Sequence, residues 1–155
     1  MKLYHGSNIE INEIDYSKSK PFKDFGKGFY LSDVFQQALD MASSKADILG
    51  GNPIVSTFEF DIEGMEQSTL AIKKFNGYTL DWAEFIIANR LGKPVKKYDY
   101  VYGPIADDYI GYQLRRWNDG IIDISTLMKE IQYAKGITFQ HFFGTERALE
   151  FLKRI

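Results

Sequence analysis

The run from Gly26 to Asp33 is the feature that most restricts how this chain can fold. Two glycines separated by one residue are followed by Phe29 and Tyr30, and then by Ser32, a residue type that often begins a helix. Glycine tolerates unusual backbone dihedrals and lets the backbone come close to another group. We therefore predict a strand over residues 28–31 and a helix directly after it, with the tyrosine ring beside a backbone that approaches a ligand.

A second run of the same kind lies upstream, from Tyr4 to Ser7. It contains an aromatic ring, the polar ring of His5, and Gly6. Two such runs within the first thirty residues indicate a small-molecule pocket to which both contribute.

The order of the predicted elements favours an α+β fold. Hydrophobic periodicity predicts strands over residues 1–6, 28–31, 53–62, 70–75, 98–102 and 137–143. It predicts helices over residues 34–45, 80–91, 106–117 and 145–152, and one that begins at residue 123 or 125 and ends near 136. Because strands and helices do not alternate regularly, a doubly wound sheet is disfavoured. The chain has 155 residues and no evident linker, so we predict one domain over residues 1–155.

The charge pattern leaves two interpretations open at one place. The formal net charge is −2, so there is no global basic field to attract nucleic acid. Locally, four lysines surround the glycine run: Lys18, Lys20, Lys23 and Lys27. They form either a solvated loop or a patch that attracts an anionic ligand, such as the phosphates of a dinucleotide.

Several classes of protein are excluded or disfavoured by composition. The chain has no cysteine, which rules out disulfides, thiol catalysis and cysteine-ligated metals. Its two histidines, His5 and His141, leave little material for a metal site, and none is expected. The apolar runs are too short to cross a bilayer and the N-terminus lacks a signal-peptide core, so a cytoplasmic protein without a membrane partner is expected.

Together with the run from Gln140 to Phe143, the two glycine runs resemble motifs of the ADP-ribosyltransferase superfamily. The resemblance is to the branch with the His-Tyr-Glu arrangement, which diphtheria-type toxins and poly(ADP-ribose) polymerases share. The chain also resembles a small bacterial family of transferase-like proteins, in which the stretch from Asp99 to Asp108 recurs in similar form. The resemblance implies an α+β fold with a split β-sheet sandwich and flanking helices.

The resemblance also implies that NAD binds in a cleft as co-substrate and that the bond between nicotinamide and ribose is broken. The backbone of Gly6 would hydrogen-bond the nicotinamide carboxamide. His5 would bind the ribose on the adenosine side, and Ser7 the ribose or phosphate region. Tyr30 would stack on the nicotinamide ring, and Gln140 would hold the 2′-hydroxyl of the reacting ribose.

Two further residues, Gly28 and Met41, complete the implied cofactor-binding set, and three departures from the family pattern limit its chemistry. Gln140 stands in place of a glutamate, and an amide cannot ionise, so mono-transfer rather than chain elongation is expected. Ala38 and Met41 stand where the polymerases place a serine and a second tyrosine. Thr138 stands where arginine-specific relatives carry Glu or Gln, so arginine is a poor candidate for the acceptor.

The acidic pair Asp107 and Asp108 has two interpretations. Acidic residues are favourable near a helix N-terminus, which explains them structurally. Alternatively, one of them lies at the acceptor side of the cleft and supplies the base that Gln140 cannot supply.

The function predicted from the resemblance is NAD-dependent mono-ADP-ribosyl transfer to an unknown acceptor, which is a protein, a nucleic acid or a small molecule. A bacterial toxin or effector is one setting that the resemblance suggests, and an antitoxin or immunity protein is then a candidate partner. Two alternatives remain: a catalytically weak module that binds NAD or ADP-ribose, and an NAD glycohydrolase with water as the acceptor.

Overall fold

The computed structural model describes residues 1–132, 134 and 136–155, and it has the predicted α+β architecture. Seven strands are described: β1 Lys2–Ser7, β2 Phe29–Leu31, β3 Ile54–Phe60, β4 Ile72–Lys74, β5 Tyr100–Pro104, β6 Phe139–Phe143 and β7 Leu152–Arg154. The α-helices within the described residues are α1 Phe35–Leu49, α2 Ile62–Glu66, α3 Leu80–Arg90, α4 Asp108–Asn118, α5 Ile124–Gln132 and α6 Glu146–Leu149. A short 3-10 helix spans Tyr16–Lys18.

The strands form two sheets. The first has the order β1-β3-β7 and is antiparallel throughout. The second has the order β2-β6-β5-β4, in which β4 and β5 are parallel and the other pairs antiparallel. Each sheet thus combines strands from both ends of the chain, so neither can be completed before most of the chain is present.

One isolated bridge joins the two sheets. The backbone N–H of Tyr4 in β1 donates to the carbonyl of Ser32, just after β2, over 2.7 Å, and the N–H of Ser32 donates to the carbonyl of Tyr4 over 2.9 Å. This is the hydrogen-bonded pair of an antiparallel ladder. The ladder does not extend beyond it within the described residues, so the sheets separate on either side.

Two hydrophobic clusters lie on opposite faces of the four-stranded sheet. One includes α3, α4 and α5, with Trp82, Ile86, Ile110, Leu114, Leu127 and Phe142 buried. The other includes residues of both sheets, with Leu3, Phe58, Phe60, Tyr100 and Phe143 buried. Because neighbouring strand residues face opposite ways, β6 supplies Phe142 to one cluster and Phe143 to the other. No helix among the described residues is long and apolar enough to cross a membrane.

The close backbone approaches predicted at the glycine runs are present as contacts with other parts of the protein, and the approach to a ligand stays a prediction. A Cβ on Gly28 would lie 2.3 Å from the ring of Phe142 and 2.7 Å from the carbonyl of Phe143. A Cβ on Gly6 would lie 1.9 Å from the carbonyl of Ala38 in α1. Both glycines are therefore required by packing within the protein. Gly26, with φ of 101°, serves the turn before β2.

The start of α1 differs from the prediction. Ser32 was expected to cap it, but the helix begins at Phe35 with Val34 as its N-terminal flanking residue. The Ser32 hydroxyl instead accepts from the N–H of Val34 over 2.9 Å and donates to Gln37 over 2.5 Å. Since the backbone of Ser32 is engaged in the bridge to Tyr4, the chain needs two more residues before it can turn into a helix.

The C-terminal end differs as well. The last helix was predicted to reach Leu152, but it ends at Leu149 and the chain continues as β7. Here β7 pairs with β3, with Leu152 opposite Phe60, and so satisfies backbone groups that would otherwise be an exposed strand edge. The predicted continuation of α5 to Gly136 crosses Tyr133 and Lys135, which lie outside the described residues; the described helix ends at Gln132.

Replacing Gly28 with alanine tests the packing of β2 against β6. Since the added methyl group would overlap the Phe142 ring and a backbone carbonyl, G28A should lower the free energy of unfolding by about 1–3 kcal/mol. The control is G77A, since a Cβ on Gly77 meets nothing within 4 Å. Urea unfolding of both variants is the measurement. Equal stability of G28A and G77A would contradict this account of Gly28.

Candidate ligand-binding cleft at the split between the sheets

A cleft of about 340 Å³ lies where β1 and β2 separate. Its wall includes all the residues singled out in the sequence as catalytic or cofactor-binding: His5, Gly6, Ser7, Gly28, Tyr30, Met41 and Gln140. The rest of the wall comes from the neighbouring residues of β1 and β2, from the segment between residues 9 and 19, from Lys23, from α1, and from Ile105 after β5. The sequence thus predicted which residues lie together in this cleft. Their roles in binding and catalysis stay predictions.

The cleft exists because a strand ladder is interrupted. If antiparallel pairing continued beyond Tyr4 and Ser32, the next pair with the same hydrogen bonding would be Gly6 and Tyr30. Instead, side chains bind both carbonyls: His5 Nδ1 lies 2.7 Å from the Tyr30 oxygen, and Lys45 Nζ donates to the Gly6 oxygen over 3.0 Å. Backbone groups of alternate strand residues point the same way, so the N–H of Gly6 points toward the cleft.

His5 is held as a neutral hydrogen-bond acceptor. A carbonyl oxygen only accepts, so Nδ1 carries the proton that bonds Tyr30. Burial is the main cause that lowers the pKa of His5 to about 4; the bond to Tyr30 opposes it, and Lys45 and Lys23 lower the pKa further. The ring stacks on Phe29 with 4.3 Å between centroids. Nε2 is therefore unprotonated at neutral pH and can accept a hydrogen bond from a ligand hydroxyl.

The Tyr30 ring is fixed by its own turn. Its hydroxyl donates to the carbonyl of Gly26 over 2.6 Å and accepts from the N–H of Phe25 over 3.1 Å. The ring packs against Phe142 with 5.0 Å between centroids, and the ammonium of Lys23 lies 5.1 Å from its centroid. Burial raises the pKa of the hydroxyl. Tyr30 thus contributes a rigid aromatic face, and that face already attracts a cation.

Gln140 is the one predicted catalytic side chain whose polar atoms are unused by the fold. It lies in β6, and the register that pairs Leu31 with His141 continues to place Gln140 opposite Ser32, beside the bridge between the sheets. Its amide makes no hydrogen bond with any described residue, while the neighbouring His141 is bonded to Tyr100. A half-buried amide of this kind can bind a ligand hydroxyl as donor or acceptor.

The fold constrains the side chains of Ser7 and Met41 less than those of His5 and Tyr30. Ser7 is buried at the end of β1, and its hydroxyl accepts from the N–H of Ile9 over a long 3.4 Å. Met41 in α1 is 55% exposed, so its thioether lies at the open side of the cleft. Ala38, one turn earlier, is buried against Gly6, which explains why a small residue stands there.

The cleft is lined by charges of both signs. Lys18, Lys23 and Lys45 contribute the cations, and Glu10, Glu13 and Asp15 the anions. Desolvation is the main cause that lowers the pKa values of Lys23 and Lys45, and nearby lysines add to it. Of the basic patch seen in the sequence, Lys18 and Lys23 belong to the lining of the cleft.

Sequence reasoning missed Lys45 and the acidic segment. Lys45 was regarded only as the approximate end of a helix, because nothing in the local pattern shows which strand α1 packs against. The acidic residues lie in a segment that is irregular except for the 3-10 helix, where no periodicity assigns a facing side. That these residues line the cleft follows only from the tertiary packing of α1 and of residues 8–18.

The positions of Asp107 and Asp108 agree with their structural interpretation, in which they stabilise a helix N-terminus. Asp107 caps α4, its carboxylate accepting from the N–H of Ile110 over 2.8 Å, and Asp108 lies in the first turn. Neither belongs to the lining of the cleft within residues 1–132, 134 and 136–155. Over the same residues, no group of three His, Asp or Glu side chains is placed to hold a metal ion.

His141 is a second buried histidine, outside the cleft. Its Nδ1 lies 2.7 Å from the hydroxyl of Tyr100, and its Nε2 has no partner among the described residues. Burial is the main cause that lowers its pKa to about 4; Asp33 raises the pKa and Lys74 lowers it. The fold therefore keeps both histidines neutral.

The two histidines predict how stability depends on pH. Between pH 7.5 and 5 the unfolded chain binds a proton at each histidine near pH 6.5, whereas the folded chain does not until about pH 4. The free energy of unfolding should therefore decrease as the pH is lowered, and at pH 5 it should be about 2 kcal/mol per histidine below its value at pH 7.5. Urea unfolding measures this, and NMR follows the folded imidazoles. Imidazole signals that titrate near pH 6.5 in the folded protein would contradict the prediction.

Comparison with known proteins gives a family and no characterised relative. The family model described as "Protein of unknown function (DUF3990)" matches residues 1–154. No curated protein and no solved structure matches the chain. Since the match covers all but the last residue, the chain belongs to the family of proteins of unknown function called DUF3990.

Proposed function

We propose that the cleft binds NAD and that the protein transfers a single ADP-ribose unit to an acceptor. The observation that carries this proposal is the interrupted ladder between Gly6 and Tyr30. It leaves a backbone donor, a neutral imidazole and a fixed aromatic face beside one another, in the order in which the resemblance to ADP-ribosyltransferases would use them. The two-sheet α+β architecture agrees with the split sandwich that the resemblance implies. That the chain has the specific fold of ADP-ribosyltransferases is part of the proposal.

In this proposal each group meets a matching part of NAD. The N–H of Gly6 donates to the nicotinamide carboxamide, and Nε2 of His5 accepts from a ribose hydroxyl on the adenosine side. The nicotinamide ring stacks on Tyr30, where it replaces the Lys23 ammonium as the cation attracted by the ring. The amide of Gln140 binds the 2′-hydroxyl of the ribose that reacts.

The proposed reaction breaks the bond between C1′ of the ribose and the nicotinamide nitrogen. The electron pair stays with nitrogen, so a cationic ring leaves as neutral nicotinamide and no general acid is needed. The acceptor's nucleophilic atom then bonds C1′, and its proton goes to water or to a lining carboxylate. Glu13 is suitable for the proton, since its carboxylate has no ion pair or hydrogen bond within the described residues. Gln140 orients the sugar but cannot take the proton.

A second candidate function is binding of an ADP-ribose-like ligand without turnover. The observation that favours it is the pair of cations in the cleft, Lys23 and Lys45, which disfavour the cationic nicotinamide ring of NAD. Gln140 also lacks the charge that would stabilise a developing positive ribose. Binding without release of nicotinamide would establish this second function.

Incubation with NAD labelled in the adenylate part distinguishes the candidates. Transfer gives free nicotinamide and a labelled acceptor, which is supplied as a cell lysate. NAD hydrolysis gives nicotinamide and free ADP-ribose, and a binding module gives a thermal shift with no nicotinamide. If NAD at millimolar concentration is neither bound nor cleaved, the proposed function is wrong.

Two substitutions assign the roles within the cleft. Y30A should weaken NAD binding by about 1 kcal/mol or more through loss of stacking. Q140A should lower turnover at least about tenfold while changing NAD affinity less, because the hydrogen bond matters most as charge develops on the ribose. The matched control is Q132A, an exposed residue at the end of α5. Equal losses of binding and turnover in Q140A would refute the role given to Gln140.

A further inference from the structure

Two lysines flank the point where the strand ladder stops. Lys45, half-buried in α1, donates to the carbonyl of Gly6, and the ammonium of Lys23 lies over the ring of Tyr30. Since Gly6 and Tyr30 are the residues whose pairing is interrupted, one ammonium group contacts each of the two separated strands, and both lysines line the cleft. They come from segments that are 22 positions apart in the chain, 45 minus 23, so local sequence does not account for their meeting.

Neither lysine is neutralised by the described protein. Ion pairs elsewhere in the described residues join Lys73 with Asp81 and Arg90 with Asp24, but no described carboxylate lies within ion-pair distance of Lys23 or Lys45. The acidic residues of the same cleft do not compensate. Glu10 is 3.6 Å from Arg154, and Asp15 accepts from the N–H of Ser17 over 2.9 Å.

This arrangement is unfavourable for the empty protein. Desolvation comes first among the causes that lower the pKa values of both lysines, and repulsion between lysines follows, whereas Asp24 raises the pKa of Lys23; Lys23 is one of the cations that act on Lys45. Lys23 is exposed and Lys45 half-buried, so the cost of lost water falls mainly on Lys45, whose ammonium has the Gly6 carbonyl but no carboxylate as its partner. A dianionic group between the two ammonium groups would offset this cost and their mutual repulsion.

We propose that Lys23 and Lys45 form an anion subsite that takes the diphosphate group of a nucleotide ligand. A diphosphate offers two charges and several acceptor oxygens, which suits two ammonium groups that line one cleft. Lys23 moves from the Tyr30 ring to the phosphate, which frees the ring for stacking. The subsite rests on the proposed function only for the identity of the nucleotide.

Calorimetric titration of the full chain tests the subsite with four probes: ADP-ribose, AMP, inorganic pyrophosphate and adenosine. We expect K23M and K45M each to weaken ADP-ribose binding at least about tenfold, and pyrophosphate to compete with ADP-ribose. Adenosine binding should change less than twofold. K45R should retain most of the affinity, and K129M, on the exposed side of α5, should bind like the wild type.

The outcomes separate this proposal from the proposed function. Lysine-dependent binding of pyrophosphate without any binding of NAD or ADP-ribose supports the subsite and overturns the nucleotide function. ADP-ribose affinity within twofold of the wild type in the K23M/K45M double variant overturns the subsite, even if NAD is cleaved. Stronger binding of AMP than of ADP-ribose also overturns it, since it assigns the lysines to a monophosphate. Because K45M removes the bond to Gly6, K23M, at an exposed residue, decides the matter if K45M fails to fold.

Discussion

The interruption of pairing between β1 and β2 is the constraint on which the rest of the structure depends. Among the described residues, one isolated backbone bridge, between Tyr4 and Ser32, joins the two sheets. The next pair, Gly6 and Tyr30, is held apart by side chains that bind its carbonyls. Buried backbone groups must be hydrogen-bonded, so an interrupted ladder is stable only if other groups take its place. Here His5 and Lys45 do so, and the space between the strands becomes a cleft.

The same interruption sets the electrostatics of the cleft. His5 can bond the Tyr30 carbonyl only through a protonated Nδ1, and its burial keeps the ring neutral, so Nε2 is an acceptor. Lys45 brings a charge to the Gly6 carbonyl, and Lys23 brings another to the Tyr30 ring. The cleft therefore combines a neutral acceptor, an aromatic face and unpaired cations, a combination that suits a phosphorylated ligand with sugar hydroxyls.

The resemblance to ADP-ribosyltransferases predicted that His5, Tyr30 and Gln140 meet in one cleft. Local pattern was sufficient for most of the strands and helices. It failed where the outcome depended on distant partners. The prediction that Gly28 lies beside a ligand gave no sign that this glycine also makes room for Phe142, more than a hundred residues away. The contact of Lys45 with β1 and the strand β7 at the edge of β3 also depend on long-range packing, which no short window of sequence contains.

The central claim is that NAD enters at the interrupted ladder, and an NMR titration of ¹⁵N-labelled protein with NAD tests it most directly. The account predicts saturable shifts of the Gly6 amide and of the His5 ring nitrogens, because these groups become hydrogen-bonded to the ligand. The amide of Gly77, outside the lining of the cleft, should stay unchanged. Shifts confined to other parts of the molecule, or none at millimolar NAD, would contradict the account.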